Sequence, residues 1–134
     1  MMLTESITAE MEACKIACIE CQATCIETLN YCKTQSHTEQ NITLMSMMRD
    51  CAEMCMMCVN MIVDGSEFMR RTCELCAEMC DRYAITCELL SNDAQMMAAA
   101  VVCRKCAESC KAVAMNSASS FRRPTSLTAS DITC

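Results

Sequence analysis

Fifteen cysteines between positions 14 and 110 recur within four segments at intervals of three, four or seven residues. This spacing restricts the chain more than any other feature. At about 100° per residue, Cys14, Cys18, Cys21, Cys25 and Cys32 fall within about 60° of one another around a helix and run along it for about 27 Å. Cys51, Cys55 and Cys58 share a stripe of about 80° or less, and Cys73, Cys76, Cys80 and Cys87 one of about 60°. Cys103, Cys106 and Cys110 form a fourth stripe of about 60°. Each segment, if helical, turns a row of sulfurs in one direction.

The rest of the sequence agrees with helix. One Gly and one Pro leave little to punctuate strands, while aromatics are few and Met is abundant. Helices are expected over about Thr4–Thr34, Glu39–Val63, Glu67–Leu90 and from the "SNDAQ" stretch to about Met115. Ser36 to Glu39 reads as a capping box for the second, Asp64-Gly65-Ser66 as its end, and Asn92 and Asp93 as a polar cap for the fourth. Three short connections imply antiparallel neighbours. The expected fold is therefore all-α, an antiparallel up-down-up-down four-helix bundle with a Cys-lined core over residues 1–116. The Ser- and Thr-rich segment 117–134 is expected to be a flexible tail, with Cys134 outside the core.

A shift of 55 residues superimposes the two halves. Cys18, Cys21, Cys25 and Cys32 fall on Cys73, Cys76, Cys80 and Cys87, and Cys51 and Cys55 fall on Cys106 and Cys110. The bundle is thus a duplicated αα-hairpin. The register also pairs Cys14 with Met69, Met48 with Cys103, and Cys58 with Val113. Two of these three mismatches exchange one soft sulfur for another.

Several function classes are excluded on composition. A formal charge of -6 disfavours nucleic acid and anionic membrane surfaces as partners. No apolar run approaches the ~18–20 residues that span a bilayer. A lone His and no nucleophile–base pair argue against an enzyme. The opening "MMLTESITAEMEACK" has neither a basic n-region nor an apolar h-region, so a cytoplasmic location is expected, where thiols stay reduced unless metal takes them.

Fifteen cysteines make a poor core as mere hydrophobes, because Cys fills space less well than Leu or Ile. Glu53, Glu78 and Glu108 lie about 200° from the first Cys of their "CAExC" repeats and point outward as solvated carboxylates. Disulfides suit isolated cross-helix pairs rather than continuous rows. An iron–sulfur electron-transfer protein is the alternative reading, since "CKIACIECQATC" has the look of a ferredoxin run. Clusters, however, are usually wrapped by loops with Gly and Pro nearby. Zinc prefers discrete sets of four ligands, and an unbroken stripe gives no reason to divide into fours. Cu(I) is soft, accepts few sulfurs, and displaces a proton from each thiol it binds, which relieves the cost of burying thiolate charge. Many Cu(I) ions strung along the rows fit best.

Stacked CxxxC and CxxC spacings on all four segments resemble those of the cytosolic copper storage proteins, over about residues 4–115. The resemblance implies a four-helix bundle that holds many Cu(I) ions through cysteine thiolates for storage and detoxification, commonly as a homotetramer, with copper donor and acceptor proteins as possible partners. Carried over by position, the ligands are Cys14, Cys18, Cys21, Cys25, Cys32, Cys51, Cys55, Cys58, Cys73, Cys76, Cys80, Cys87, Cys103, Cys106 and Cys110. Family members admit copper at an open end lined by His or Met. Here His37, Met48 and Met96 are the expected mouth, with Met45 and Met97 beside them. Met54, Met56, Met57, Met61 and Met79 lie off the stripes and are expected to pack helices or subunits.

Overall fold

In the computed structural model, residues 2–90 and 93–120 are described, with side chains over 8–90 and 93–116. They form α1 (Met2–Lys33), α2 (Glu39–Asp64), α3 (Met69–Leu90) and α4 (Ala94–Ser120). The backbones close into a ring in which α1 packs on α2 and α4, and α3 packs on the same two. The diagonal helices α2 and α4 meet only through side chains, at Cys51–Cys103, Cys55–Cys106 and Cys58–Cys110. This is the expected up-down-up-down bundle. The sulfur rows face one another along its axis because a bundle buries one stripe per helix.

Local chemistry sets the helix ends. Gly65 terminates α2 in the left-handed region, at φ 63 and ψ 38. The amide of Gly65 donates to the Ile62 carbonyl at 3.2 Å and that of Ser66 to the Met61 carbonyl at 3.0 Å, so two last-turn carbonyls are satisfied. Ser66 Oγ then accepts from the Phe68 amide at 3.0 Å, which holds a turn and delays α3 to Met69. Asp93 caps α4, its carboxylate accepting from the Gln95 amide at 2.7 Å. Two side chains from the first turn of α2 serve their neighbours. Asn41 Nδ2 donates to the Cys32 carbonyl at 2.8 Å and Gln40 Nε2 to the Leu90 carbonyl at 2.6 Å.

Two boundaries differ from expectation. The α2 cap is Thr38 rather than Ser36: Thr38 has the extended backbone a cap requires (φ -79, ψ 160), and its hydroxyl accepts from the Asn41 amide at 3.0 Å. Thr38→Ala should therefore lower stability by ~1 kcal/mol in urea denaturation, while Ser36→Ala should stay within ~0.5 kcal/mol of the parent. Helix α4 continues to Ser120 instead of stopping near Met115, because nothing in "NSASS" breaks a helix. The expected tail thus begins in helix, and residues 121–134, including Cys134, lie outside the described residues.

The core is a column of sulfur flanked by small side chains. Ala17, Ala77, Ala84, Ala99 and Ala107 are buried beside the cysteines and let the helices approach. Ile62, Met69 and Val113 are buried at the end where α2 turns into α3. Met69 and Val113 stand where the duplicated register has Cys14 and Cys58 in the other half, so apolar packing takes over part of that level. Among the described residues, no helix is long and apolar enough to cross a membrane.

Candidate metal centre

All fifteen of these cysteines are buried, at most 1 % exposed, and each is a free thiol. All but Cys32 and Cys87, each seven residues from the next cysteine, are i, i+3/i+4 neighbours on their own helices, and these thirteen interleave with sulfurs from the other helices. The cross-helix contacts include Cys14–Cys110 at 3.5 Å, Cys18–Cys106 at 3.6 Å, Cys21–Cys103 at 3.8 Å, Cys51–Cys80 at 3.6 Å and Cys58–Cys73 at 3.3 Å. Contacts of 4.0 Å or less form two groups, one of Cys21, Cys25, Cys51, Cys76, Cys80 and Cys103, the other of Cys14, Cys18, Cys55, Cys58, Cys73, Cys106 and Cys110, and sulfurs within 4.8 Å of one another join the two. Glu53, Glu78 and Glu108 are exposed on the outer surface, as the spacing requires.

Within the column the sulfurs form overlapping groups of four. Four quartets have all four sulfurs within 4.8 Å of one another: Cys14, Cys18, Cys58, Cys110; Cys18, Cys76, Cys106, Cys110; Cys21, Cys55, Cys80, Cys106; and Cys21, Cys25, Cys51, Cys103. These quartets overlap, sharing Cys18, Cys110, Cys106 and Cys21, so the sulfurs are grouped in fours without the column being divided. Periodicity on single helices says nothing of the register between them, and it is the register that makes the quartets. Cys32, Cys73 and Cys87 belong to none of them.

The crowded thiols split in acidity: hydrogen bonds from neighbouring thiols draw Cys18, Cys21, Cys51, Cys73 and Cys76 below the ordinary thiol range, while the other ten are raised. Hydrogen bonds to Cys103 hold Cys25 and Cys80 protonated far above the ordinary thiol range, and bonds to Cys106 do the same for Cys55 and Cys110, with burial adding to each. Burial pushes Cys87 from 9.0 up to about 11, assisted by charge on Cys51, Cys32 and Glu88. A thiol whose folded pKa exceeds its unfolded one stabilises the fold fully below the unfolded value and loses that contribution as pH rises through the folded value. The denaturation midpoint of the metal-free, reduced protein should accordingly carry a Cys87 contribution that falls between about pH 9 and 11. A Cys87→Ala variant should show a shallower fall.

At the end where α1 turns into α2, a cleft of about 240 Å³ opens between the hairpins, lined by residues that include Tyr31, Gln40, Asn41, Leu44, Asp93 and Met96. Both intra-hairpin connections thus lie at one end, as expected. The Tyr31 hydroxyl donates to the Asp93 carboxylate across the cleft. Deeper in, Gln95 Nε2 donates at 2.9 Å to the hydroxyl of Thr28, itself fully buried and bonded to the Thr24 carbonyl at 2.7 Å. The bond from Tyr31 and the Gln95 amide hold the Asp93 carboxyl below its usual range, and burial followed by the Asp93 charge raises Cys32.

The three residues expected at the mouth are not together. Met96 lines the cleft and is 3 % exposed. Met48 is fully buried in the core, one turn from Cys51. His37 is exposed outside the cleft, its Nδ1 3.2 Å from the Gln35 carbonyl, because it precedes the Thr38 cap and turns outward with the loop. Met45 is half-buried and Met97 exposed; Met54, Met56, Met57, Met61 and Met79 lie off the sulfur rows, half-buried or exposed. Sequence reasoning missed Tyr31, Thr28 and Gln95. A Tyr and a polar residue on the inner stripe of α1 were the available signals.

Fold and contents together define a cysteine-rich helical bundle whose bore is lined by free thiols. The chain belongs to the copper storage protein (Csp) family, whose model matches residues 7–115. It is 32% identical over 103 residues, 77% of this chain and 94% of the relative, to the uncharacterized cysteine-rich protein YhjQ of Bacillus subtilis. Among solved structures it is similar to the Cu(I)-bound copper storage protein BsCsp3, with a TM-score of 0.73 at 30% identity over 78% of this chain and 98% of that one. It also resembles a crystal structure of a Nitrosospira multiformis protein, with a TM-score of 0.71 at 32% identity over 81% and 97% of the two chains. Apo-Csp3 from Bacillus subtilis gives a TM-score of 0.69 at 31% identity over 77% and 97%. The iron–sulfur reading finds no support here: all fifteen thiols lie within helices, whereas clusters are usually wrapped by loops.

Proposed function

We propose that this chain stores Cu(I), holding many ions per chain inside the bundle through the fifteen buried cysteines, and thereby keeps free copper low. The observation that carries the reading is the column of free thiols, thirteen of them joined through sulfur–sulfur separations of 3.3 to 4.8 Å. Thiolates are the ligands soft Cu(I) selects, and a column lets one thiolate serve two ions. The role is non-catalytic: the column is sealed from solvent along its length and presents no nucleophile–base pair. A reducing compartment such as the cytoplasm suits it, since fifteen crowded thiols stay free only there. Self-association, as a tetramer in the family-based reading, would cover exposed Ile16, Ile19 and Val101.

Ions enter, in this reading, through the cleft beside Met96, pass Cys32, Cys87 and Met48, and reach the quartets by exchange between soft ligands. Copper donor and acceptor proteins would meet the same end. Reduced, anaerobic protein titrated with Cu(I) against a competing chelator should take up ions roughly in step with its core thiols. Saturation after one or two ions would sink the storage reading. A Met48→Leu, Met96→Leu variant should keep its capacity but load and release several-fold more slowly in stopped-flow measurements. Rates equal to the parent's would remove the mouth.

A further inference from the structure

The quartets have a chemistry that Cu(I) storage does not need. Cu(I) is satisfied by two or three sulfurs, whereas four thiolates around one point are the ligand set of a tetrahedral, thiophilic divalent ion. With Zn–S bonds of ~2.3 Å, the sulfurs of such a set stand ~3.8 Å apart. In the quartet around Cys21, the contacts Cys21–Cys103, Cys21–Cys51, Cys21–Cys25 and Cys51–Cys103 are 3.8, 3.9, 4.0 and 4.0 Å. In the quartet around Cys14, Cys14–Cys110, Cys18–Cys110, Cys14–Cys18 and Cys58–Cys110 are 3.5, 3.8, 4.0 and 4.0 Å. In each of these end quartets four of the six pairs are thus near that spacing, and the remaining two lie within 4.8 Å.

The quartets are also linked. Cys18 and Cys110 belong to the first two, Cys106 to the second and third, and Cys21 to the third and fourth. Four ions would therefore use twelve sulfurs, four of them bridging, which is ordinary behaviour for a thiolate. We propose that the bore is a built site for a second cargo, a divalent ion of the zinc or cadmium kind, bound as a linked chain of four tetrathiolate centres. The site stands on the geometry of the quartets and does not depend on the copper reading.

Charge sets the rank of the two cargoes. Four divalent ions bring eight positive charges to twelve thiolates, so the filled chain keeps four negative charges inside a bore lined by apolar and thiol groups. Buried, uncompensated charge is costly. Cu(I) at one ion per thiolate leaves none. The divalent form should load when copper is scarce and yield to Cu(I) when it arrives.

Cd(II) is the probe, because its thiolate charge-transfer absorption counts bound ions. Reduced, metal-free protein titrated anaerobically with Cd(II) should show a break at four ions per chain, releasing about three protons per ion to a pH indicator. Cys76→Ser and Cys25→Ser each remove a sulfur belonging to one quartet and should move the break to three. Cys87→Ser, outside every quartet, should leave it at four. Far-UV circular dichroism on each variant checks that the helices persist. A break at one or two ions in the parent overturns the proposal, as does uptake without a break up to one ion per thiol. Equal counts for folded Cys76→Ser, Cys25→Ser and Cys87→Ser also overturn it. Cu(I) added to the Cd(II)-filled protein should expel all four ions, and retention of them would overturn the charge ranking. Cu(I) titration of the metal-free protein is a separate result, so failure of either cargo is read without the other.

Discussion

Cu(I)-filled protein is expected to stay helical in guanidinium concentrations that fully unfold the reduced, metal-free chain. The empty core is dominated by small side chains, fifteen thiols with alanines beside them, and its larger apolar groups, Leu29, Leu44, Met47, Met48, Val59, Ile62, Met69, Met96 and Val113, are outnumbered by the thiols. Its apolar area is therefore modest for four helices of 22 to 32 residues. Copper adds cross-links among all four helices at several levels of the column. Metal affinity that exists only in the folded state counts as folding free energy, ~10 kcal/mol or more even for one structural metal set. Circular dichroism against guanidinium, with and without stoichiometric Cu(I) under argon, measures the difference. Coincident transitions would mean that copper binds outside the bore.

Ala84→Leu should nearly stop copper loading from the cleft while leaving a folded bundle. Ala84 is fully buried on the inner stripe of α3, between Cys80 and Cys87. Ala99, also fully buried, precedes Cys103 by one turn on α4, and Thr28 lies between Cys25 and Cys32 on α1. These small residues form a neck between the sulfurs nearest the cleft and the quartets. A leucine there overpacks the neck, at a cost of ~1–3 kcal/mol in stability. If ions pass this way, loading should slow at least ten-fold, with only Cys32 and Cys87 reached promptly. Val113→Ile, at the opposite end, is the matched control and should load at the parent rate. Parent-like loading of a folded Ala84→Leu protein would place the entry elsewhere.

How much of this could be read from the residues depended on what each feature needs to exist. The sulfur rows were legible because Cys14 to Cys32 and Cys73 to Cys87 keep helical phase, and phase belongs to one helix at a time. The bundle followed from the brevity of the connections. The quartets were not legible, since Cys21 meets Cys55, Cys80 and Cys106 only once four helices have taken a common register. The α2 cap was placed near, but not on, the right residue. Ser36 and Thr38 carry similar hydroxyls, and only the backbone angle at Thr38 distinguishes them. His37 looked like part of a mouth because it is the lone His in a loop, yet a loop residue's direction is set by its neighbours' hydrogen bonds rather than by any period. The bond between Tyr31 and Asp93 joins residues 62 apart and has no sequence signature.

One consequence of the buried column concerns what the surroundings can sense. The carboxylates Glu53, Glu78 and Glu108 are exposed on the outer face, away from the sulfur column. Each Cu(I) takes the place of one proton, so neither the net charge nor the outer face alters as the bore fills. Empty and full molecules should co-migrate on a native gel and elute together from an ion exchanger. A protein built this way is silent about how much copper it holds. Any partner that distinguishes a laden molecule from a vacant one must do so at the cleft beside Met96, where the interior comes nearest to view.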